Sequence, residues 1–448
     1  MAGLTRGELV RKSVHMSVGL IAFAVRPLGP MGSALAAAAA VVMNLTLLPR
    51  IGRIMWRSHE SESGKAPGFV FYPLAVLLLV LAFWRHIEVA AAVWGILAFG
   101  DGMASVVGMA LGRAKLPWNP KKSWAGTLAH WIFGTAAATV LLQWTAPDHY
   151  SLAFALGACA LAALLSAILE SMPQGLDDNL GVPLVTGLFL LGLLLSGGGW
   201  RTWIQNPDFS RQAAIALGVN LALGVLGYAA KGVDRSGLIA GIGLGTLVYL
   251  GLGWRGYLLL LAFFVIGTVC TKIGYARKAA AGIAQERGGR RGARNALAKT
   301  SVPAVCAIFA ATTQHPLVYT LAFAGAFATA AADTASSEIG KAFGRRTFLI
   351  TTLRPVPRGT EGAVSVEGTL AGILGGALVG TLAASVHLLP WTAVLPITLA
   401  AFVANTLESL VGATLESRGL LDNEAVNFLN TLTGALLAAT AALFLLPG

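Results

Sequence analysis

Residues Gly100 to Arg113 read GDGMASVVGMALGR, and residues Ala332 to Arg345 read ADTASSEIGKAFGR. Laid over each other without a gap, Asp101 falls on Asp333, Ser105 on Ser337 and Gly108 on Gly340. Gly112 then falls on Gly344, and Arg113 on Arg345. A basic segment follows each copy, and then a second shared block, SWAGTLA at Ser123 to Ala129 and SVEGTLA at Ser365 to Ala371. Beyond a further apolar span stands a third block. LESMPQGLDDNLGVPL carries Glu170, Asp177, Asp178 and Asn179, and LESLVGATLESRGLLDNEAVNFLN carries Glu408, Asp422, Asn423 and Asn427. Three blocks in one order point to two related modules in tandem, each with a polar site.

The apolar sequence around these blocks sets the fold class. Of 448 residues, 56% are hydrophobic and 12% charged, with a mean hydropathy of +0.72. Soluble domains carry about 25% charged residues. Apolar runs of about twenty residues, the length of a bilayer-spanning helix, recur from end to end. The expectation is an all-α polytopic membrane protein with about fifteen transmembrane helices. Seven spans, 14–29, 32–48, 68–84, 88–111, 124–144, 150–170 and 181–197, form the first module. A linking span at 209–230 precedes the second seven, 236–253, 256–271, 300–312, 317–340, 364–387, 391–414 and 425–446. Domain limits follow as 1–208, 209–230 and 231–448.

The net charge of +12 resides in alternate loops. Arg50, Arg53, Arg57 and Lys65 lie in one, Arg113, Lys115, Lys121 and Lys122 in another, Lys231 and Arg235 in a third. The stretch Lys272 to Lys299 and the segment Lys341 to Arg358 continue the series. By the positive-inside rule the N-terminus and all six blocks face the cytoplasm and the C-terminus lies outside. The one extra crossing makes the two seven-helix repeats parallel rather than inverted, which disfavours a transporter. Basic loops of a membrane protein report topology and anionic headgroups, so no nucleic-acid partner is expected. Cys159, Cys270 and Cys306 stand singly, without the spacing of a metal knuckle or an evident disulfide.

More than half of the twenty acidic residues fall in or beside the repeated blocks. A carboxylate at membrane depth is costly and marks function by default, although interfacial helix capping would explain a single one. After Asp101 and Asp333, small residues at three- and four-residue spacing share one helix face. A backbone or a phosphate can approach that face closely, and helix packing through Gly108 and Gly112 is the plainer reading. Ser105, Arg113, Ser337, Lys341 and Arg345 thereby become phosphate candidates. Lys121 and Lys122 run straight into Ser123, Gly126 and Thr127 at a helix start, a plausible phosphate cradle as well as an interfacial anchor. The second copy of that segment places Arg354, Arg358, Gly359 and Thr360 in a Pro- and Gly-rich loop before Gly368. Oxygen donors at Glu170, Asp177, Asn179, Glu338, Glu408, Asp422, Asn423 and Asn427 suit Mg²⁺, while Asn179 equally suits a helix cap. The run GIGLGT at Gly241 to Thr246 has no preceding strand and is discounted as a dinucleotide site. Cations for phosphates, carboxylates for metal and a groove in the membrane are the parts of a phosphoryl-transfer site with a lipid-soluble acceptor.

RKSVHMSVG, GDGMASVVG, LPWNPKKSWAGT and LDDNLGVPL make residues 9–200 resemble the dolichol kinase and phytol kinase family. DRSGLIAGIGLGT, ADTASSEIG, PVPRGTEGAVSVEGTLAG and ESLVGAT make residues 213–446 resemble the phytyl-phosphate kinase family, with RRGARNALAK standing where that family has Gln and Asn-Gly. The resemblance implies a bifunctional isoprenoid kinase in a membrane, expected to be the cytoplasmic membrane of a prokaryote. It would use Mg²⁺ and CTP, or another nucleoside triphosphate, to convert an isoprenoid alcohol to the monophosphate and then the diphosphate. The alcohol would be of the phytol, geranylgeraniol or farnesol type. Asp101 and Asp178 would divide the base and metal roles in the first module; Asp333 and Arg358 would serve the second. A CTP-dependent lipid cytidylyltransferase and a lipid-phosphate transporter are the competing readings.

Overall fold

The computed structural model describes residues 6–46, 67–117, 119–171, 178–285, 290–417 and 421–442, and for 6–11, 67–71 and 178–180 the backbone alone. The chain is helical almost throughout, as an apolar chain in a bilayer must be, because only helices and closed barrels satisfy their own backbone groups there. It divides into two compact units, Met1–Leu195 and Ser196–Gly448.

In the first unit, α1 (Arg6–Gly19) passes through a 3-10 turn into α2 (Val25–Thr46). After α3 (Pro67–Ala82), α4 (Ile87–Gly95) runs through a π turn at Ile96–Gly100 into α5 (Asp101–Leu111). A short antiparallel hairpin, β1 (Lys115–Leu116) and β2 (Asn119–Ser123), leads to α6 (Trp124–Thr145), α7 (Leu152–Ser171) and α8 (Asp178–Leu195). Val89–Leu97 is buried without interruption, so α4 is the core of this unit.

The second unit opens with α9 (Gly199–Ile204), α10 (Phe209–Ala229) and α11 (Arg235–Lys272). The span read from sequence as a linker is α10, and it belongs to this unit: Asn220 on it accepts a hydrogen bond from the Tyr257 hydroxyl of α11 at 2.9 Å. There follow α12 (Tyr275–Ala280), α13 (Ala293–Thr312) and α14 (Pro316–Phe343). A second hairpin, β3 (Phe348–Leu349) and β4 (Ala363–Val364), leads to α15 (Val366–Ser385). Then come α16 (Val394–Val411), a π turn at Gly412–Glu416 and α17 (Asn423–Thr440). Thr320–Ala335 of α14 is buried continuously and forms the centre of this unit.

Among the described residues ten helices are long and apolar enough to cross a membrane, fewer than the fifteen spans expected. The difference is one of division. Two of the ten, Lys12–Thr46 and Arg235–Lys272, each hold two expected spans and break at a glycine. Those glycines are Gly29 (φ 63°, ψ −176°) and Gly253 (φ 61°, ψ −159°), in a conformation open to glycine and closed to L side chains. Two shorter apolar helices, Tyr72–Ala82 and Gly181–Leu195, and α17 take the remaining spans. The span expected at 300–312 begins at Ala293, so Arg294 and Lys299 stand in a helix rather than a loop. The basic residues Arg50, Arg53, Arg57 and Lys65 lie outside the described residues.

Trp124, Leu128 and Ile132 of α6 are exposed in an i, i+4 row, as are Val366, Leu370 and Leu374 of α15. An exposed apolar ridge at this spacing is a lipid-facing helix surface.

Candidate active sites

Each unit gathers its candidate residues around the same kind of helix crossing. The α6 N-terminus is capped by Ser123, whose Oγ accepts from Gly126 N at 3.2 Å. In the second unit Ser365 caps α15 and accepts from Gly368 N at 3.1 Å. A methyl group on Gly126 would stand 2.8 Å from the Ala104 carbonyl, and one on Gly368 would stand 2.7 Å from that of Ser336. Both contacts forbid a side chain, so the glycine of each SxxGT block exists to let the helix carrying the repeated Asp lie against it. The two readings offered by sequence, close packing and a phosphate-ready helix start, share this one spot.

In the first unit the π turn delivers Asp101 to the head of α5, facing α1. Lys12 Nζ donates to Asp101 Oδ2 at 2.8 Å, and His15 Nε2 is 3.6 Å from the same oxygen. His15 Nε2 also lies 3.0 Å from the Leu97 carbonyl, which sets its proton on that nitrogen. The His15 ring packs on Tyr72, whose hydroxyl accepts from Trp94 Nε1 at 2.9 Å. The hairpin swings Lys122 onto Glu170, forming an ion pair, while buried Asn119 donates to the Ser171 carbonyl at 3.1 Å. Thr127 Oγ1 donates to the Ser123 carbonyl at 3.1 Å, and Ser105 is half-buried on the α5 face. Lys121 and Arg113 are exposed. Asp177 lies outside the described residues; Asp178 and Asn179 begin α8, their side chains outside the description.

In the second unit Lys299 Nζ donates to Asp333 Oδ2 at 2.6 Å and to Thr334 Oγ1 at 3.0 Å. Glu338 is held by Lys278 in an ion pair of which the two side chains are 4% and 0% exposed. Lys278 also donates to the Thr271 carbonyl at 2.8 Å, closing the end of α11. Around Asp333 lies a polar cavity of about 190 Å³. Its wall holds Ser337, Glu338, Lys341, Gly359, Thr360, Gly368, Glu408, Asn423 and Asn427, all singled out from sequence. Asp422 stands outside that wall, where it caps α17 through Ala425 N at 2.9 Å and pairs with Arg294 at 2.8 Å. Arg354 and Arg358 are exposed on the hairpin loop, and Arg345 donates its backbone N–H to Glu367 at 3.2 Å; none of the three lines the cavity.

Sequence reading missed Lys12, His15, Lys278 and Lys299, and it missed Glu416 and Asn405 in the cavity wall. The lysines partnering the two repeated aspartates come from unrelated places, α1 in one unit and α13 in the other, so no repeat register could link them. A usable signal was the single Lys inside the apolar run of LAKTSVPAV, since a lone lysine at membrane depth needs a carboxylate partner.

The family described as integral membrane protein DUF92 matches residues 218–435. An uncharacterized membrane protein of Synechocystis is 48% identical over 198 residues, 44% of this chain and 77% of its own length. The chloroplast protein VTE6 of Arabidopsis thaliana is 38% identical over 255 residues, 54% of this chain and 75% of its own. A probable chloroplast phytol kinase 2 of Glycine max is 34% identical over 197 residues, 42% of this chain and 67% of its own. No solved structure matches. The chain belongs to the DUF92 family of integral membrane proteins, and among its homologues are proteins named phytol kinase and VTE6.

Proposed function

We propose that this protein is a bifunctional isoprenoid kinase built by duplication of one membrane module. Its first unit phosphorylates an isoprenoid alcohol, and its second phosphorylates the resulting monophosphate. CTP is the donor and Mg²⁺ the metal, and both sites open to the cytoplasm. The observation that carries the reading is the recurrence, in both units, of a lysine-paired aspartate beside a Gly–Gly helix crossing and a Ser-capped helix start. The homologues named phytol kinase supply the substrate class.

In the first reaction the alcohol oxygen attacks the terminal phosphorus of CTP, the bond to the bridging oxygen breaks, and CDP leaves. The hydroxyl proton must go to a base. Asp101, paired with Lys12, is the carboxylate positioned to take it, and His15 Nε2, which carries its own proton, lies 3.6 Å from the same oxygen and helps to hold it. In the second reaction the nucleophile is a phosphate oxygen, already ionised near neutral pH because the second pKa is about 6. No general base is then needed. The second unit has two histidines, His315 and His387, at the ends of α14 and α15 far from the cavity.

Oxygen donors from Asp333, Glu361, Glu408, Glu416, Asn423 and Asn427 surround the second cavity, a donor set that fits Mg²⁺. Among the described residues no three acidic, His or Cys groups gather closely enough to hold a metal alone. Phosphate oxygens and water would complete the shell, as is usual for this ion. When bound, Mg²⁺ offsets charge on the nucleotide phosphates. Glu170 and Glu338, both metal candidates by sequence, are instead engaged by Lys122 and Lys278.

The test is incubation of the purified chain with labelled CTP and either phytol or phytyl monophosphate. The reading expects CDP release with phytyl monophosphate and diphosphate as products. Pyrophosphate release would instead establish cytidylyl transfer, and lipid-phosphate movement without nucleotide turnover would establish transport.

A further inference from the structure

Arg291 stands in the wall of the second cavity, beside Asn295, Lys299 and Glu338. Its guanidinium packs over the rings of Phe263 and Phe264 on α11, 5.4 and 5.8 Å from their centroids. It lies flat against Gly267, where an added methyl would come within 2.2 Å of Nη2. Its backbone is tied down as well, donating to the Gly232 carbonyl at 3.0 Å and accepting from Asp234 N at 3.1 Å. The guanidinium is thus held in one place. Nη1 is nonetheless buried with no hydrogen-bond partner among the described residues. Two carboxylates of the same cavity wall, Glu338 and Asp333, are already engaged by Lys278 and Lys299.

A buried donor without a partner is costly, and a guanidinium in a cavity wall suits a phosphate oxygen. The cations of the cavity wall are Arg291, Lys299 and Lys341, and its carboxylates are Asp333, Glu338, Glu361, Glu408 and Glu416. In the first unit the described lysines at the site, Lys12 and Lys122, each face a carboxylate of their own.

We propose that Arg291 binds the phosphate of the second unit's acceptor, so that this unit selects an anionic prenyl monophosphate over the neutral alcohol. The proposal rests on the kinase reading for the identity of the acceptor, and binding tests it apart from turnover. The probes are farnesyl monophosphate, farnesol and CTP, titrated onto the detergent-solubilised full chain. Wild type should bind the monophosphate, and Arg291→Leu should weaken that binding about 10- to 100-fold, the worth of a hydrogen-bonded charge. CTP affinity should not move. Arg291→Lys should recover part of the loss, and Gly267→Ala, which displaces the guanidinium without removing its charge, should reproduce it. These two variants carry the comparison if Arg291→Leu does not fold. Unchanged monophosphate affinity in Arg291→Leu would overturn the proposal, as would a loss of CTP affinity in its place. If Arg291-dependent binding is found but wild type forms no diphosphate with any nucleotide, the kinase reading fails and the anion site stands.

Discussion

Asp101 and Asp333 occupy the same register, and each would be an isolated charge in an apolar helix without its lysine. Lys299 and Asp333 are 9% and 11% exposed, so neither can be relieved by water. Removing one member of a buried pair costs about 3–5 kcal/mol because the other charge stays behind. Glu338→Gln should accordingly lower stability by about that much through the stranded Lys278, read as a fall in melting temperature in detergent. Lys278→Met with Glu338→Gln should restore most of it, and an additive loss in the double variant would show that the pair is not coupled. The aspartates have a catalytic prediction too. Asp101→Asn should abolish phosphorylation of phytol yet leave conversion of supplied phytyl monophosphate intact. Asp333→Asn should do the reverse, so that monophosphate accumulates. Chromatography of the labelled products separates the two, and loss of both steps in either single variant would refute the division of labour.

At the scale of elements, the decisive device is the glycine that lets a Ser-capped helix lie on the aspartate helix. Gly126→Ala and Gly368→Ala each push a methyl into a backbone carbonyl at under 3 Å. Overpacking of this kind costs about 1–3 kcal/mol. Each substitution should lower thermal stability by that amount and depress only the reaction of its own unit, since it shifts that unit's aspartate against its helix start. Equal loss of both reactions from Gly126→Ala would argue against independent sites. The hairpins act at this scale as well. The first brings Lys122 back to Glu170, while the longer loop of the second presses Gly362, a residue of the cavity wall, against Ala413 at the π turn. Arg358, exposed on that loop, offers a sharp comparison: Arg358→Ala should reduce diphosphate formation less than Asp333→Asn does, measured as initial rates on phytyl monophosphate.

For the molecule as a whole, composition and the length of the apolar runs were enough to establish a polytopic helical membrane protein, because a bilayer leaves an apolar chain few other options. The repeated blocks were legible for the same kind of reason. Asp, Ser and Gly at fixed spacing have local duties, a cap or a close crossing, that any folded copy must repeat. The partners of the charged residues were not legible. Basic residues between Lys272 and Lys299 read as a solvated loop that marks membrane orientation, yet Lys278 is fully buried and Lys299 nearly so. Whether a lysine is a surface anchor or the counter-ion of a buried carboxylate depends on which helix packs beside it. That neighbour is chosen by side-chain packing over distances of dozens of residues, as with Lys12 and Asp101, or Lys278 and Glu338. The sequence by itself determined the class and the two Ser-capped, glycine-crossed blocks. Only the tertiary structure decided which cations are engaged and that, among the described residues, Arg291 has a donor left over, because charge pairing is a property of packed neighbours and leaves no local pattern in the chain.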